Sequence, residues 1–600
     1  MNWKSIRLWP VLLAIGFVPL IVTAKIYNHG LDGLNWFSTG QASADLFLYW
    51  KGQTLIALAF IMLLFAFITT GNKKALLPEW SKIKTLEMIC VGAYLLLAFL
   101  SALFSANREY ALWGGYEQWE GINVIFAYCV LFAYMYLMVD SEATIKLVIY
   151  SIIIGSLVIG LIGTGQFLQH DLFRSEFGQT LMNFMSDQKM RFSFNFENGR
   201  SYSTLYNPNY IGSYVALVLP VLVTVSVLSW KKISPAWSIM AMISVVLNIV
   251  TLAGSQSLTG CIGIVVAAVF VLVYRFPRIF NSLGGVKIAI AGVVCIGLIV
   301  SLCFVFPDEL KMVKDKLFTQ KESRHVTQKL LSTDKGLEIT TVNDDVFYLN
   351  LTEDLNQPFS VVDAEGNAVA LMKDASKGYF YSEDKRLDEF RLGRINVTVE
   401  NAPCKGVQIL NPWHYSIWNI VKVDNEFKYY TEYQKLDSLE DIEAFGFEKN
   451  QYFGSRRGYI WSRTFPLLKK NILIGSGPNT FIFEFPNNDY VGKNKMDYAG
   501  VTVTKPHNMY LQTWVQTGLL SLIAFLLVFF LYFIKSLKLY WNRALETIPE
   551  KLGLAIMVSI FGYMVTGIAN DSCVAVAPVF WGLLGLGYAV NKMVGVETKR

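Results

Sequence analysis

Lys505-Pro506-His507-Asn508-Met509-Tyr510 runs directly into an apolar stretch at 511–534. The joint decides how the chain is built. A polar segment ends at a proline, and the following run is long and apolar enough to cross a bilayer, which takes ~20 residues. Proline is tolerated at a helix start because that N–H would be unpaired anyway. The reading puts the His507 imidazole at a water–lipid interface, near the positive end of a helix dipole. Fifty residues upstream, in the same polar stretch, stands Arg457-Gly-Tyr-Ile-Trp461, with Arg457 and Trp461 at helical spacing. Cationic and imidazole groups just outside a bilayer suit the handling of a lipid-linked phosphate.

The whole chain fits that setting. It has 600 residues, 53% hydrophobic and only 16% charged, where a soluble protein carries about 25%. It reads as a polytopic membrane protein. Twelve spans fit, at roughly 9–24, 50–70, 85–105, 122–139, 146–168, 209–229, 236–254, 258–274, 287–306, 511–534, 552–569 and 574–591. The first follows Lys4 and Arg7 but no small-residue cleavage site follows it, so it reads as a retained span rather than a signal peptide. Lys73, Lys74, Lys82, Lys84, Lys231, Lys232, Arg275, Arg278, Lys535, Lys538, Arg543 and Lys551 fall in alternate loops. This bias puts both termini in the cytoplasm and the long loops at 169–208 and 307–510 outside. The net charge of +6 fits basic cytoplasmic loops and gives no reason to expect a nucleic-acid partner. Seven cysteines include no CxxC and no Cys/His cluster, so neither a disulfide framework nor a metal site is expected.

Four segments follow. Residues 1–306 hold spans one to nine. Residues 307–450 alternate like strands, as in Val346-Phe-Tyr-Leu-Asn-Leu351, with a turn signal at Asp363-Ala-Glu-Gly-Asn367; they read as a β-rich insert, a sandwich by its length and pattern. Residues 451–510 return to the membrane surface, with an amphipathic helix expected at Phe465–Pro478. Residues 511–600 hold the last three spans.

Other polar elements flank the spans. Arg200 precedes Tyr206-Asn207-Pro208-Asn209, a helix-capping turn at the sixth span. Trp113-Gly-Gly-Tyr-Glu117-Gln-Trp119-Glu120-Gly121 carries aromatics that suit an interface belt or stacking on sugar rings. Asn570-Asp571-Ser572 reads as a polar turn. Trp413, Tyr415 and Trp418 in the insert suit core packing better than sugar stacking.

The order of these elements resembles the O-antigen ligase superfamily, which also includes O-antigen polymerases and some protein O-glycosyltransferases. The family's pattern of His, then Asn, Ser or Gln, nine residues and Gly is met by His507-Asn508, nine residues and Gly518. After two intervening residues, Ser521 stands where Gly, Thr or Tyr is usual. Arg457-x-x-x-Trp461 followed by Ile474-Gly475-Ser476-Gly477, and Arg200 followed by Asn207-Pro208-Asn209, match two more family elements. Ser255-Gln-Ser-Leu258-Thr-Gly260 matches a third, with Leu258 where an arginine is frequent. The insert lies outside the resemblance.

The resemblance implies a GT-C-like helical fold in a bacterial plasma membrane. It implies glycosyl transfer, without metal or other cofactor, from a polyprenyl-diphosphate glycan to an acceptor hydroxyl on a glycan, lipid, protein or wall polymer. Ligase is favoured over polymerase, and direct attack would invert the anomeric carbon. Arg200 and Arg457 would hold the diphosphate and His507 would act as base or phosphate ligand. Asn207, Asn209, Asn508, Trp461, Trp119 and Glu117 would line the substrate, with Glu117, Glu120, Glu484 and Asp571 as substitute bases. The rival class is a transporter or flippase of lipid-linked saccharides, which should show related halves and ionisable groups at mid-span; neither is evident.

Overall fold

The computed structural model describes residues 6–38, 40, 42–71, 85–186, 189–228, 234–283, 326–399, 401–411 and 416–597. The expected ninth span, the loop lysines at 73–84 and 231–232, and Trp413 and Tyr415 lie outside the described residues. The helices α1 (Trp9–Gly16), α2 (Tyr49–Gly71), α3 (Leu86–Phe104), α4 (Arg108–Trp113), α5 (Ile122–Met138), α6 (Glu142–Phe167), α7 (Glu176–Met182), α8 (Pro208–Val223), α9 (Pro235–Ser255) and α10 (Leu258–Leu283) precede the insert. After it come α11 (Phe453–Lys470), α12 (Phe481–Glu484), α13 (Tyr490–Lys495), α14 (Met509–Thr517), α15 (Leu519–Tyr540), α16 (Ile548–Thr566) and α17 (Ala577–Glu597). Nine of the described helices are long and apolar enough to span a membrane; α1 with the turn after it, and α5, are shorter. The protein is therefore polytopic, with a β-containing region.

One apolar core runs through the bundle. Small residues let helices meet closely: a Cβ on Gly212 of α8 would sit 2.8 Å from the Gly260 Cα of α10. The bundle has two polar ends. At one, Arg7 donates to Asp140 and to the Met138 carbonyl, and Arg275 caps the α15 terminus through the carbonyls of Tyr540 and Arg543. The other gathers the loops at 105–121, 200–207 and 567–576 with the polar stretch before α14.

The insert is antiparallel throughout. Strands β3 (Thr327–Thr333), β4 (Gly336–Thr341), β5 (Val346–Leu351) and β6 (Phe359–Asp363) form one meander. They are preceded in the chain by the short pair β1 (Lys25–Tyr27) and β2 (Ser43–Asp45). Seven strands form the larger sheet, from β7 (Met372–Lys373), β8 (Phe380–Tyr381), β9 (Arg391–Val399) and β10 (Ala402–Asn411) to β11 (Ser416–Val423), β12 (Glu426–Tyr430) and β13 (Leu436–Asp437). Both sheets bury one core, in which Leu337, Phe347 and Leu349 meet Val407, Ile420 and Phe427. This is how two alternating faces dispose of their apolar sides.

Two expected elements differ in detail. The apolar run at 511–534 is not one helix: Asn508 starts α14, which stops after nine residues at Gly518, and α15 begins there. Gly518 has φ +92 and ψ 161, a conformation open essentially to glycine alone. The segment at Ile472–Gly477 fits into this break. Leu519 donates to the Ile472 carbonyl, while Ser476 and Gly477 donate to the carbonyls of Val515 and Gln516. Gly475 lies flat against Gln516, where a Cβ would overlap backbone. The amphipathic helix also starts earlier than expected, at Arg457, and passes through Pro466. Pro466 cannot donate to the Ser462 carbonyl four residues back; the Phe445 N–H takes that acceptor at 2.9 Å.

Candidate active site

Helix α11 sets the site. Its regular part begins at Arg457, directly after Gly454, Ser455 and Arg456, all with φ between 59 and 71. Arg457 and Trp461, one turn apart, reach two different loops. The Trp461 indole N–H donates to the Pro506 carbonyl at 2.8 Å, fixing the residue before His507. Arg457 donates through Nε to the Ala569 carbonyl at 2.9 Å and through Nη1 to that of Gly454 at 2.7 Å. Its Nη2 makes no hydrogen bond among the described residues.

The 567–573 loop between α16 and α17 is where everything meets. His507 Nδ1 bonds Asp571 Oδ2 at 2.9 Å. Asn508 caps α14 by accepting from Tyr510 and Leu511, both at 2.9 Å, and its amide donates to Ile568. Met509 donates to the Gly567 carbonyl. Asn570 donates to Ser213, Thr259 and the Asn209 carbonyl, tying in α8 and α10. Ser572 donates its N–H to the Gln512 side-chain oxygen and its hydroxyl to Glu120. The polar triplet Asn570-Asp571-Ser572 is thus a hub and not a mere turn.

Charge is arranged unevenly. Asp571 is 5% exposed, and its Oδ1 has no hydrogen-bond partner among the described residues. Burial would push this carboxyl up. His507 foremost, with Lys505 and Arg457, instead holds it below the usual carboxylate range. Lys505 is also 5% exposed; it donates to the Glu117 carbonyl at 3.1 Å and lies over the rings of Tyr206 and Tyr210. Glu120 behaves oppositely to Asp571. Burial pushes its carboxyl up to about 7, against hydrogen bonds from Tyr128 and Ser572 that favour the anion. For Arg457, burial lowers the guanidinium's affinity for its proton and Asp571 opposes this.

The expected site residues divide. Arg457, Trp461, His507 and Asn508 converge on the hub. Asn207 caps α8 through the Asn209 N–H at 2.9 Å, and Asn209 meets the hub only through its carbonyl. Glu117 accepts from Thr504 at 3.0 Å, bracing the segment before His507. Trp119 is buried between the rings of Tyr27 and Tyr49, each at 4.8 Å, and presents no free face. Arg200 is not brought to the hub. It donates to Gln256 and lines a separate cleft of about 450 Å³ with His170, Asp171 and Arg174. The second buried cation beside the imidazole is Lys505. Sequence reasoning passed over Lys505 and set Asp571 and Glu120 aside as substitutes; the charged residue two before His507 and the polar triplet between two spans were the available signals.

Left-handed backbone gathers here as well. His507, Glu117, Trp119, Tyr206, Gln256, Ser455 and Arg456 all have positive φ without being glycine. Such conformations persist where surrounding contacts enforce them, and functional sites are where they cluster.

A helical membrane bundle with an imidazole, a guanidinium and a buried carboxylate at one polar rim defines a class: a polytopic protein with an interfacial polar centre. One comparison with known families finds a match. Residues 429–526 match the family model described as O-antigen ligase, a stretch that holds Arg457, Trp461, Lys505, His507, Asn508 and Gly518. That stretch is similar to the O-antigen ligase family, in line with the resemblance that the motifs carry. No curated protein and no solved structure shows a match to the chain.

Proposed function

We propose that this protein is a membrane glycosyltransferase that moves a glycan from a polyprenyl diphosphate to an acceptor hydroxyl at the outer membrane face, without a metal. The membrane is a bacterial plasma membrane, both termini are cytoplasmic, and the helices form a GT-C-like frame of about twelve spans. The observation that carries the reading is the His507–Asp571 bond beside Arg457 and Lys505, inside the segment with the family match.

The chemistry follows from these groups. With Nδ1–H donated to Asp571, the other ring nitrogen, Nε2, is the basic one, in the orientation that a buried carboxylate imposes on a catalytic imidazole. The acceptor oxygen attacks the anomeric carbon, its proton passes to Nε2, and the carbon–oxygen bond to the diphosphate breaks. The electron pair leaves on the diphosphate, where Arg457 and Lys505 meet the charge. Attack opposite the leaving group inverts the anomeric centre. Fixed cations at a developing charge are typically worth ~3–4 kcal/mol, and a positioned base typically gives ~10²–10⁴-fold.

Ligase is favoured over polymerase because the His-Asn-x9-Gly element is the ligase-like one. The test is transfer from a synthetic prenyl-diphosphate saccharide by the full chain in proteoliposomes. His507→Gln should lose the base contribution in kcat; a loss confined to a raised donor KM would assign His507 to phosphate binding instead. Transfer undiminished in both His507→Gln and Arg457→Ala would end the reading. A ladder of products without added acceptor would make the enzyme a polymerase.

A further inference from the structure

Away from the hub, the larger sheet, the loop after α1 and the stretch around α13 enclose a second cleft. Its lining includes Trp36, Trp418, Tyr429, Tyr433, Tyr490 and Lys493. The three parts are braced against one another. Lys435 donates to the carbonyls of Asp32, Leu34 and Phe37 at 2.6, 2.8 and 3.0 Å. Asp437 of β13 accepts from both Asn35 and Tyr490. The cleft therefore has fixed walls.

One buried cation lines it without a hydrogen bond of its own. Lys493 is 5% exposed and makes no hydrogen bond or ion pair among the described residues. Asp489 and Glu432 lie within electrostatic reach of it, but the Asp489 carboxylate is committed elsewhere, accepting from Arg463, Tyr459 and the Gly492 N–H. A buried donor left unpaired is costly, and more so when charged. Native proteins rarely keep such groups without a ligand, ion or water to meet them. An acceptor stands at the rim, where Glu432 is exposed beside Tyr433. Aromatic walls, a lysine and a carboxylate at the mouth match the surface of a sugar ring, which offers C–H faces for stacking and hydroxyls that donate and accept.

We propose that this cleft binds one sugar residue of the glycan that the enzyme handles, with Lys493 on its oxygens, Tyr433 against its ring face and Glu432 accepting a hydroxyl. The proposal rests on the glycosyl-transfer reading and gives the β insert a share in substrate recognition. Val501, on the cleft's edge, is joined to His507 by six residues, a path of at most ~20 Å. A few linked sugars cover that separation.

The test uses the full chain in nanodiscs and saturation-transfer NMR with three trisaccharides, of glucose, N-acetylglucosamine and glucuronic acid. At least one should bind saturably. Tyr433→Ala and Glu432→Ala, both at the rim, should weaken it about tenfold, and Lys493→Met should do the same. His507→Gln should leave that binding unchanged while removing transfer. Absence of saturable binding for all three, or binding indifferent to all three cleft variants, overturns the proposal. Binding that behaves as expected in a chain that transfers nothing sinks the catalytic reading alone.

Discussion

Arg457 and Arg200 are the same residue type read from the same kind of motif, yet they live in different surroundings. Arg457 is held by two carbonyls on either side of a hub that also fixes His507 and Asp571. Arg200 reaches across to Gln256 and looks into a wide cleft shared with Arg174. The difference teaches that a fixed guanidinium next to an oriented imidazole is a chemical unit, whereas a guanidinium on an open cleft is a contact at most. The hub should therefore dominate activity.

Substitution at the hub is the sharpest way to break that contrast. His507→Ala or Asp571→Asn should lower transfer ~10²–10⁴-fold in the proteoliposome assay; a near-normal rate in either would dissolve the unit. Arg457→Ala should cost ~10²–10³-fold, and Arg457→Lys should not restore it, because a point charge cannot serve two carbonyls and a diphosphate together. Gly518→Ala strains the break between α14 and α15 and should destabilise the protein by about 1–3 kcal/mol, read as a fall in Tm.

Glu120 and Asp571 sharpen the contrast through pH. Asp571 has its carboxyl held low, so its contribution to stability is present above the usual carboxylate value and is lost only as pH falls through the lower folded value. Glu120 is raised to about 7; its contribution is complete below its ordinary value of 4.5 and declines as pH rises through about 7. Wild-type Tm should therefore fall between pH 5 and 8, and Glu120→Gln should flatten the slope. At the small end, Arg200→Ala should change transfer within about threefold, the range of a surface substitution. A loss as deep as that of Arg457→Ala would bring Arg200 back into the chemistry.

Much of this was legible beforehand. The spans are written in local hydropathy, so the described helices follow the expected ones. The strands of the insert are written in local alternation, as at Val346–Leu351. The break at Gly518 was not legible, because Leu511, Trp514 and Val515 continue the apolar run across it. The hub was harder still. Asp571 meets His507 across 64 residues and Ala569 meets Arg457 across 112, distances at which no periodicity carries information. Arg200 shows the converse: a motif match gives the residue type, and only packing decides what it faces.

The Phe445 N–H that fills the carbonyl orphaned by Pro466 ties the exit of the insert to the helix bearing Arg457. The two parts are thus mechanically geared at one main-chain bond. An excision of the insert must therefore stop short of Phe445, because removing that N–H would leave the Ser462 carbonyl of the helix bearing Arg457 unpaired.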